Sequence, residues 1–509
     1  MSPIHIPQFP FRNRITTIVF VVIPASVLFA VGAFITWKIL IVWRNPYTLI
    51  DTPFGMVSVP KASFPDRSCD IRDYGAIEGD KTKNTDAFRE AIEDCSIRGG
   101  GRVLVPPGEW KTGPIRLENN IDLRLDRDAT IVFSKDHDDY LPAAFSRFEG
   151  IELYNYSPLI YANGARNISI SGQGTLDGQG GAWRDWKDGQ EEAVKRLYEM
   201  AEIGVPPEQR TFGTTEDALR PSFVGLIDCE QVSLSDFHIT DSPMWTIHLL
   251  YSDGVTVSGI RVETNGANTD GIVVDSSRNV VVEDCVLDTG DDAIALKSGL
   301  DTDGWRVGRP TENVVIRNCT VGKSHAGVAI GSEMSGDIRN VFIDKTSFAD
   351  GEKGFRIKSL LGRGGTVEQV FLENLIFDNI QQTIFDIDLS YDSASVKPDS
   401  EHPPTVRRIS AKDIRGTCGE YAVHVIGISE SPVEDLSFED LDLSSLKGID
   451  IDETEHIRFT DVKVSSTKTT PFTVDDSRDI VFEHPPCAIE DEKCVTLQGD
   501  TEQDDIVAR

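Results

Sequence analysis

Cations are in short supply in this chain. It carries 50 Lys and Arg against 83 Asp and Glu in 509 residues, a formal net charge of −33. Such a balance excludes a general nucleic-acid binder, which needs a basic footprint. It also repels polyanions overall, so recognition of an acidic ligand by cations has to be local. Helix-length amphipathic segments are missing from the repeating part of the chain, which excludes leucine-rich and helical repeats. Cysteine is sparse at eight residues. Cys69 and Cys95 are placed to staple the start of the repeats and Cys487 and Cys494 to close a short terminal loop, whereas Cys285 and Cys319 sit on inward stripes as small core residues.

Long apolar runs are equally rare. Residues 15–36 form one, preceded by Arg12 and Arg14, followed by Lys38 and Arg44, and containing Pro24. At ~1.5 Å per residue the run spans ~33 Å, about the thickness of a bilayer core. It exceeds the apolar region of a cleaved signal peptide, so the expectation is an uncleaved transmembrane signal anchor with residues 1–14 as a cytoplasmic tail; cleavage would make the protein secreted instead. Basic residues on both sides leave the orientation open by charge alone. Asn155-Tyr156-Ser157, Asn167-Ile168-Ser169 and Asn318-Cys319-Thr320 match glycosylation acceptors. Together these features predict an extracellular or lumenal domain held by its N-terminus. Residues 37–65 read as a linker, 66–487 as the folded domain, and 488–509 as an acidic C-terminal tail.

What the chain does have is a repeat. Val280, Val282, Cys285 and Leu287 stand at i, i+2, i+5 and i+7, and Val314, Ile316, Cys319 and Val321 repeat the offsets. The sets beginning at Val232, Val255, Val341, Val370, Leu436 and Ile457 follow the same rule. Alternation by two marks a strand with one buried face, and the skipped step marks a bend between two short strands. Successive anchors are separated by a variable period of roughly 20 to 40 residues, a solenoid signature. The predicted fold is all-β: a single-stranded right-handed parallel β-helix behind an N-terminal transmembrane helix. A stacked coil grows in one dimension, which accounts for so long a single domain. Asn279, Asn313 and Asn340 each precede an anchor, consistent with a stacked asparagine ladder or with turn chemistry alone. Residues 181–219, rich in Trp, Glu and Arg, break the spacing and read as an excursion near the site face.

Four chemically loaded patches fall on consecutive coils: Asn268-Thr269-Asp270, Asp291-Asp292, His325, and Arg356-Ile357-Lys358. All lie just past the paired strands, in one sector. Neighbouring strands are ~4.8 Å apart, so four coils cover roughly 15 Å, a groove for a few sugar units. Glycoside hydrolysis needs two carboxyl functions, one to protonate the leaving oxygen and one to activate water or attack the sugar. Three crowded aspartates cannot all ionise freely, so at least one should hold a proton. Arg356 and Lys358 alternate with apolar residues, so both cations point one way and can grip a sugar carboxylate.

These blocks resemble the polygalacturonase family, glycoside hydrolase family 28. Asn268 to Asp270, Gly290 to Asp292, the His325 region and Arg356 to Lys358 are similar to the family's Asn-Thr-Asp, Gly-Asp-Asp, His-Gly and Arg-Ile-Lys motifs. Leu153 to Pro158, Ser242 to Trp245 and Gly331 to Gly336 look like the exo-acting branch. The resemblance covers roughly residues 69–390. It implies Asp291 as general acid, Asp270 and Asp292 activating water in an inverting displacement, His325 supporting the acid, and Arg356, Lys358, Asn268 and Lys297 binding substrate. It implies no metal and no cofactor, and pectic polysaccharide or oligogalacturonide as the partner. An inverting site predicts carboxyl groups ~6.5–9.5 Å apart. The chain departs from the family at Ser324 and Ala326, where glycines usually flank the histidine, and at Val273-Val274, where Asp-Pro is common. Related pectic chains (rhamnogalacturonan, xylogalacturonan), a lyase on the same coil, and a non-catalytic glycan-binding solenoid are the competing readings.

Overall fold

Each apolar anchor meets its counterpart one coil away. Val232 pairs with Val255, Val255 with Val280, Val280 with Val314, Val314 with Val341 and Val341 with Val370, all in parallel register. The computed structural model describes residues 46–79, 83–391 and 401–509. The expected cytoplasmic tail, the transmembrane segment and the first part of the linker lie outside the described residues. Among the described residues no helix is long and apolar enough to cross a membrane.

The chain from Tyr47 onward forms one unit, a parallel β-helix. One long sheet stacks thirteen strands, from Ile115–Arg116 to Val495–Gln498. The rest of each coil is the bent strand pair expected from the spacing, such as Arg278–Glu283 followed by Val286–Asp288. The inward stripes merge into one continuous apolar column. At the corners the asparagines do stack: Asn340 donates to Asn313 at 3.0 Å, Asn313 to Asn279 at 3.1 Å, and Asn279 to Asp253 at 2.8 Å. These three asparagines hold φ of 54° to 59°, a left-handed corner that short amide side chains tolerate.

Two boundary expectations are corrected. The reading of residues 37–65 as a linker fails in its described part. Tyr47–Thr52 and Gly55–Pro60 pair as an antiparallel hairpin, and Ile50, Val57 and Val59 pack on the coil's outward Val281, Val315 and Phe342. Burying those side chains outweighs the breaking tendency of Pro53 and Pro60. The expected acidic tail 488–509 instead builds the last coil: Val495–Gln498 and Ile506–Ala508 add in parallel to the preceding strands. Its few apolar residues are spaced to cover the end of the column. At the other end the helix Thr85–Ile97 buries Phe88, Ala91, Ile92 and Cys95 against the first coil, and the disulfide Cys69–Cys95 pins it there. Cys487 and Cys494 are also bonded, while Cys285 and Cys319 are free and buried. Of the three acceptor asparagines, Asn155 and Asn167 are buried and bonded to neighbouring groups, which argues against modification there; Asn318 is exposed.

Candidate active site

The long sheet places the site. Its strands Ile272–Asp275, Ile294–Lys297, Ala326–Gly331 and Lys353–Lys358 lie side by side. Ile272 pairs with Ile294, so Asp270 and Asp292, each two residues earlier, occupy equivalent positions on neighbouring coils. Asp291 and His325 enter from the same turns, and the His325 amide donates to the Asp291 carbonyl at 3.2 Å. Phe355 and Ile357 point into the core, which turns Arg356 and Lys358 outward as expected.

One oxygen from each of Asp270, Asp291 and Asp292 lies within 4.8 Å of the others. This corrects the expected wide carboxyl spacing: stacking on adjacent coils sets the separation near the inter-strand repeat. The three carboxyls differ sharply in surroundings. Asp270 is 3% exposed, and burial together with the Asp291 charge pushes it well above the usual carboxylate range. Burial also pushes Asp291 upward, but the His325 hydrogen bond and charge, Lys358 and the Asn268 amide outweigh it and hold Asp291 at about 2. Asp291 Oδ2 accepts from the Asn268 amide at 3.1 Å, and Oδ1 accepts from the Asp292 amide at 3.0 Å. Asp292 Oδ2 accepts from Lys358 Nζ at 2.9 Å, while its buried Oδ1 accepts no bond from the protein. His325 Nδ1 stands 3.5 Å from Asp291 and Nε2 3.7 Å from Glu352. The Asp291 hydrogen bond overcomes desolvation and raises its pKa to about 9.

Cations line the same cleft, whose volume is about 790 Å³. Lys297 is buried, bonded to Glu333 at 2.9 Å and set 5.0 Å from the Trp245 ring centre. Burial lowers its pKa, but Glu333, Asp270 and Asp292 together raise it further. Arg356 pairs with Asp386 at 3.1 Å and lies 4.8 Å over the Tyr391 ring. Asn268 Oδ1 accepts from Arg220 at 2.7 Å, which orients the loop that carries Asp270. The helix Glu191–Glu202, part of the anticipated excursion, contributes Tyr198 and Glu202 to one wall. The three aspartate oxygens are close enough to share a cation, but the Lys358 ammonium and the His325 ring already supply positive charge to two of them.

All eight residues singled out from the sequence line this one cleft. Sequence reasoning did not weigh Glu149, Arg220, Glu333, Asp386 and Tyr391. Glu333 and Trp245 fall inside stretches that resembled the exo-acting branch. Nothing local marks Asp386 or Tyr391, whose roles depend on the register of the next coil. Of the departures, Val273 is outward-facing and packs beneath Met244 and Trp245.

The family model "Glycosyl hydrolases family 28" matches residues 209–463, which include every one of those eight positions. The chain belongs to glycosyl hydrolase family 28. This family 28 chain is 30% identical over 377 residues to a probable polygalacturonase of Vitis vinifera, covering 72% of each. It is 26% identical over 435 residues to an exo-poly-alpha-D-galacturonosidase of Dickeya chrysanthemi, covering 78% of this chain and 71% of that one. Among solved structures it is similar to a hyperthermoactive exopolygalacturonase from Thermotoga maritima, with a TM-score of 0.72 and 36% identity over 83% of this chain and 93% of that one. It is a glycoside hydrolase of the polygalacturonase type.

Proposed function

We infer that this family 28 enzyme hydrolyses α-1,4-galacturonosyl linkages in polygalacturonate, from chain ends, on a right-handed coil. The observation that carries the reading is the meeting of three aspartates within 4.8 Å with Lys297, Arg356 and Lys358 in the same cleft. Acid–base chemistry and carboxylate recognition share one surface there, despite the net charge of −33.

Asp291 is the least buried of the three carboxyls and has an imidazolium behind it. The His325 imidazolium yields its proton to Asp291, which relays it to the glycosidic oxygen as the bond to the anomeric carbon breaks. Water between Asp270 and the unpaired Oδ1 of Asp292 attacks that carbon and gives its proton to Asp292. The crowded carboxyls raise a second course, in which an aspartate attacks directly, because retaining enzymes space their carboxyls at about 5–5.5 Å. The lysine clamp on Asp292 and the upward-shifted pKa of buried Asp270 favour water as nucleophile over either carboxylate. Proton NMR of the first-formed product separates the two, and the expected product is the inverted anomer.

Asp291→Asn is expected to lower reducing-sugar release from polygalacturonate by at least about 10²-fold while substrate still binds in calorimetry. Near-normal turnover in that variant would remove the acid assignment. We further propose that the catalytic coil works outside the cytoplasm, tethered through residues 15–36. The two disulfides support an oxidising compartment, and the apolar run supports the tether. Release of the protein from membranes by alkaline carbonate would count against the anchor.

A further inference from the structure

The strands Ala144–Phe148 and Ile151–Asn155 form a hairpin whose two-residue loop is Glu149-Gly150. Both loop residues have positive φ, 44° and 84°, the pattern of a type I′ turn. That turn favours Asn-Gly or Asp-Gly. Gly150 suits its place; an added Cβ would also meet Leu300 and Glu333 at 2.8–3.0 Å. Glu149 does not suit its place. A long side chain held left-handed is a local cost, one that Gln231, Lys345 and Arg408 also bear on the coil.

The hairpin is riveted to the coil. Arg147 pairs with Asp275 at 2.7 Å with both side chains fully buried. Glu152 accepts from Tyr251 at 2.7 Å and pairs with Arg306, and its amide donates to Asp303 at 2.8 Å. Asp303 in turn holds Arg210 at 2.9 Å. The loop is therefore fixed in place, and its tip delivers Glu149 into the cleft that holds Asp270 and Asp291. Tyr198, from the helix that walls the cleft, donates to Glu149 Oε2 at 3.3 Å. Among the described residues no cation comes within ion-pairing distance of Glu149.

A carboxyl is the wrong group to meet a galacturonate carboxylate and the right one to meet sugar hydroxyls. The reducing-end hydroxyl interconverts between two anomers, whereas the hydroxyl at C4 of the opposite end has one configuration. A rigid reader matches the second. We propose that Glu149, with Tyr198 beside it, hydrogen-bonds the C4 hydroxyl of the non-reducing terminal sugar and so makes the cleft select a free chain end. The inference rests on the galacturonan reading above. Burial pushes the Glu149 carboxyl above its ordinary range.

The test compares three trigalacturonates: a saturated one, one whose non-reducing unit is 4,5-unsaturated and lacks the C4 hydroxyl, and one reduced to the alditol. Wild-type enzyme should prefer the saturated trimer over the unsaturated one by at least about 10²-fold in kcat/KM. Glu149→Ala should bring the two toward parity by losing rate on the saturated trimer alone. Glu149→Asn should do the same with an unchanged or raised Tm, because Asn-Gly relieves the turn. Preference that survives Glu149→Ala, discrimination lost against the alditol instead, or a Tm that falls in step with activity in Glu149→Asn would each overturn the proposal. A wild-type enzyme that cleaves none of the three would overturn the galacturonan reading itself.

Discussion

Below about pH 9 the His325 ring is an imidazolium facing an ionised Asp291. The His325 pKa is raised above its unfolded value, so the pair's contribution to stability is complete below about pH 6.5. That contribution disappears as pH rises through about 9. Turnover should show an alkaline limb near the same point, where the ring can no longer resupply the acid. His325→Gln is expected to abolish that limb in a kcat–pH profile and to lower kcat; a limb left in place would detach His325 from the proton path. The Asp291 pKa is depressed, so its side of the pair is lost only as pH falls toward about 2. Arg356 stands over Tyr391 and beside Asp386, free to turn part of its planar fork to a sugar carboxylate. Arg356→Ala should raise KM on polygalacturonate by about 10-fold or more, as loss of a charge-assisted bond implies. On a methyl-esterified chain it should have little effect, and equal losses on both substrates would exclude carboxylate recognition by this residue.

At the level of elements, the hairpin Ala144–Asn155 and the excursion 181–219 shape the cleft that the coils only floor. Arg147 and Asp275 are buried as a pair, and removing one partner strands the other's charge. Arg147→Met should therefore cost about 3–5 kcal/mol, read as a lowered Tm and denaturation midpoint, with Tm unchanged as the contrary result. The strands of the coil were legible because apolar residues mark nearly every inward position from Val232 to Phe377. The coil at Ile409 obeys the same offsets but carries Ala411 and Gly416 where others carry larger side chains, so it did not stand out. It pairs in register all the same, Val370 with Ile409 and Ile409 with Leu436. The aspartates, His325 and the cations were legible for a related reason: each follows its coil's anchor by 11 to 17 residues, just past the paired strands. Glu149 was not, because its place in the cleft is fixed by bonds to Asp275 and Asp303, more than a hundred positions further along the chain.

Across the whole molecule, stability is a chain of nearest-neighbour interfaces with a cap at either end. Composition misled the reading of both ends, since prolines around residues 47–60 and acids in 488–509 look like unstructured chain. Both segments contribute just enough apolar side chains to cover what would otherwise be bare. Deleting residues 495–509 should expose Phe472, Val474, Ile480 and Phe482, now 0–1% exposed, and yield protein that aggregates or melts lower by scanning calorimetry. A truncated form of unchanged Tm would show that the last coil is dispensable.

Because Asp270, the Asp291-Asp292 pair and His325 come from successive rungs, the proposed catalytic stretch cannot gain or lose a turn of chain without separating its partners by one strand spacing. Lengthening by duplication is open to the flanks alone. A turn spliced in after Leu436 would give a longer protein with an intact reaction centre, whereas the same turn spliced between Asp275 and Arg278 would give a well-folded protein that cuts nothing.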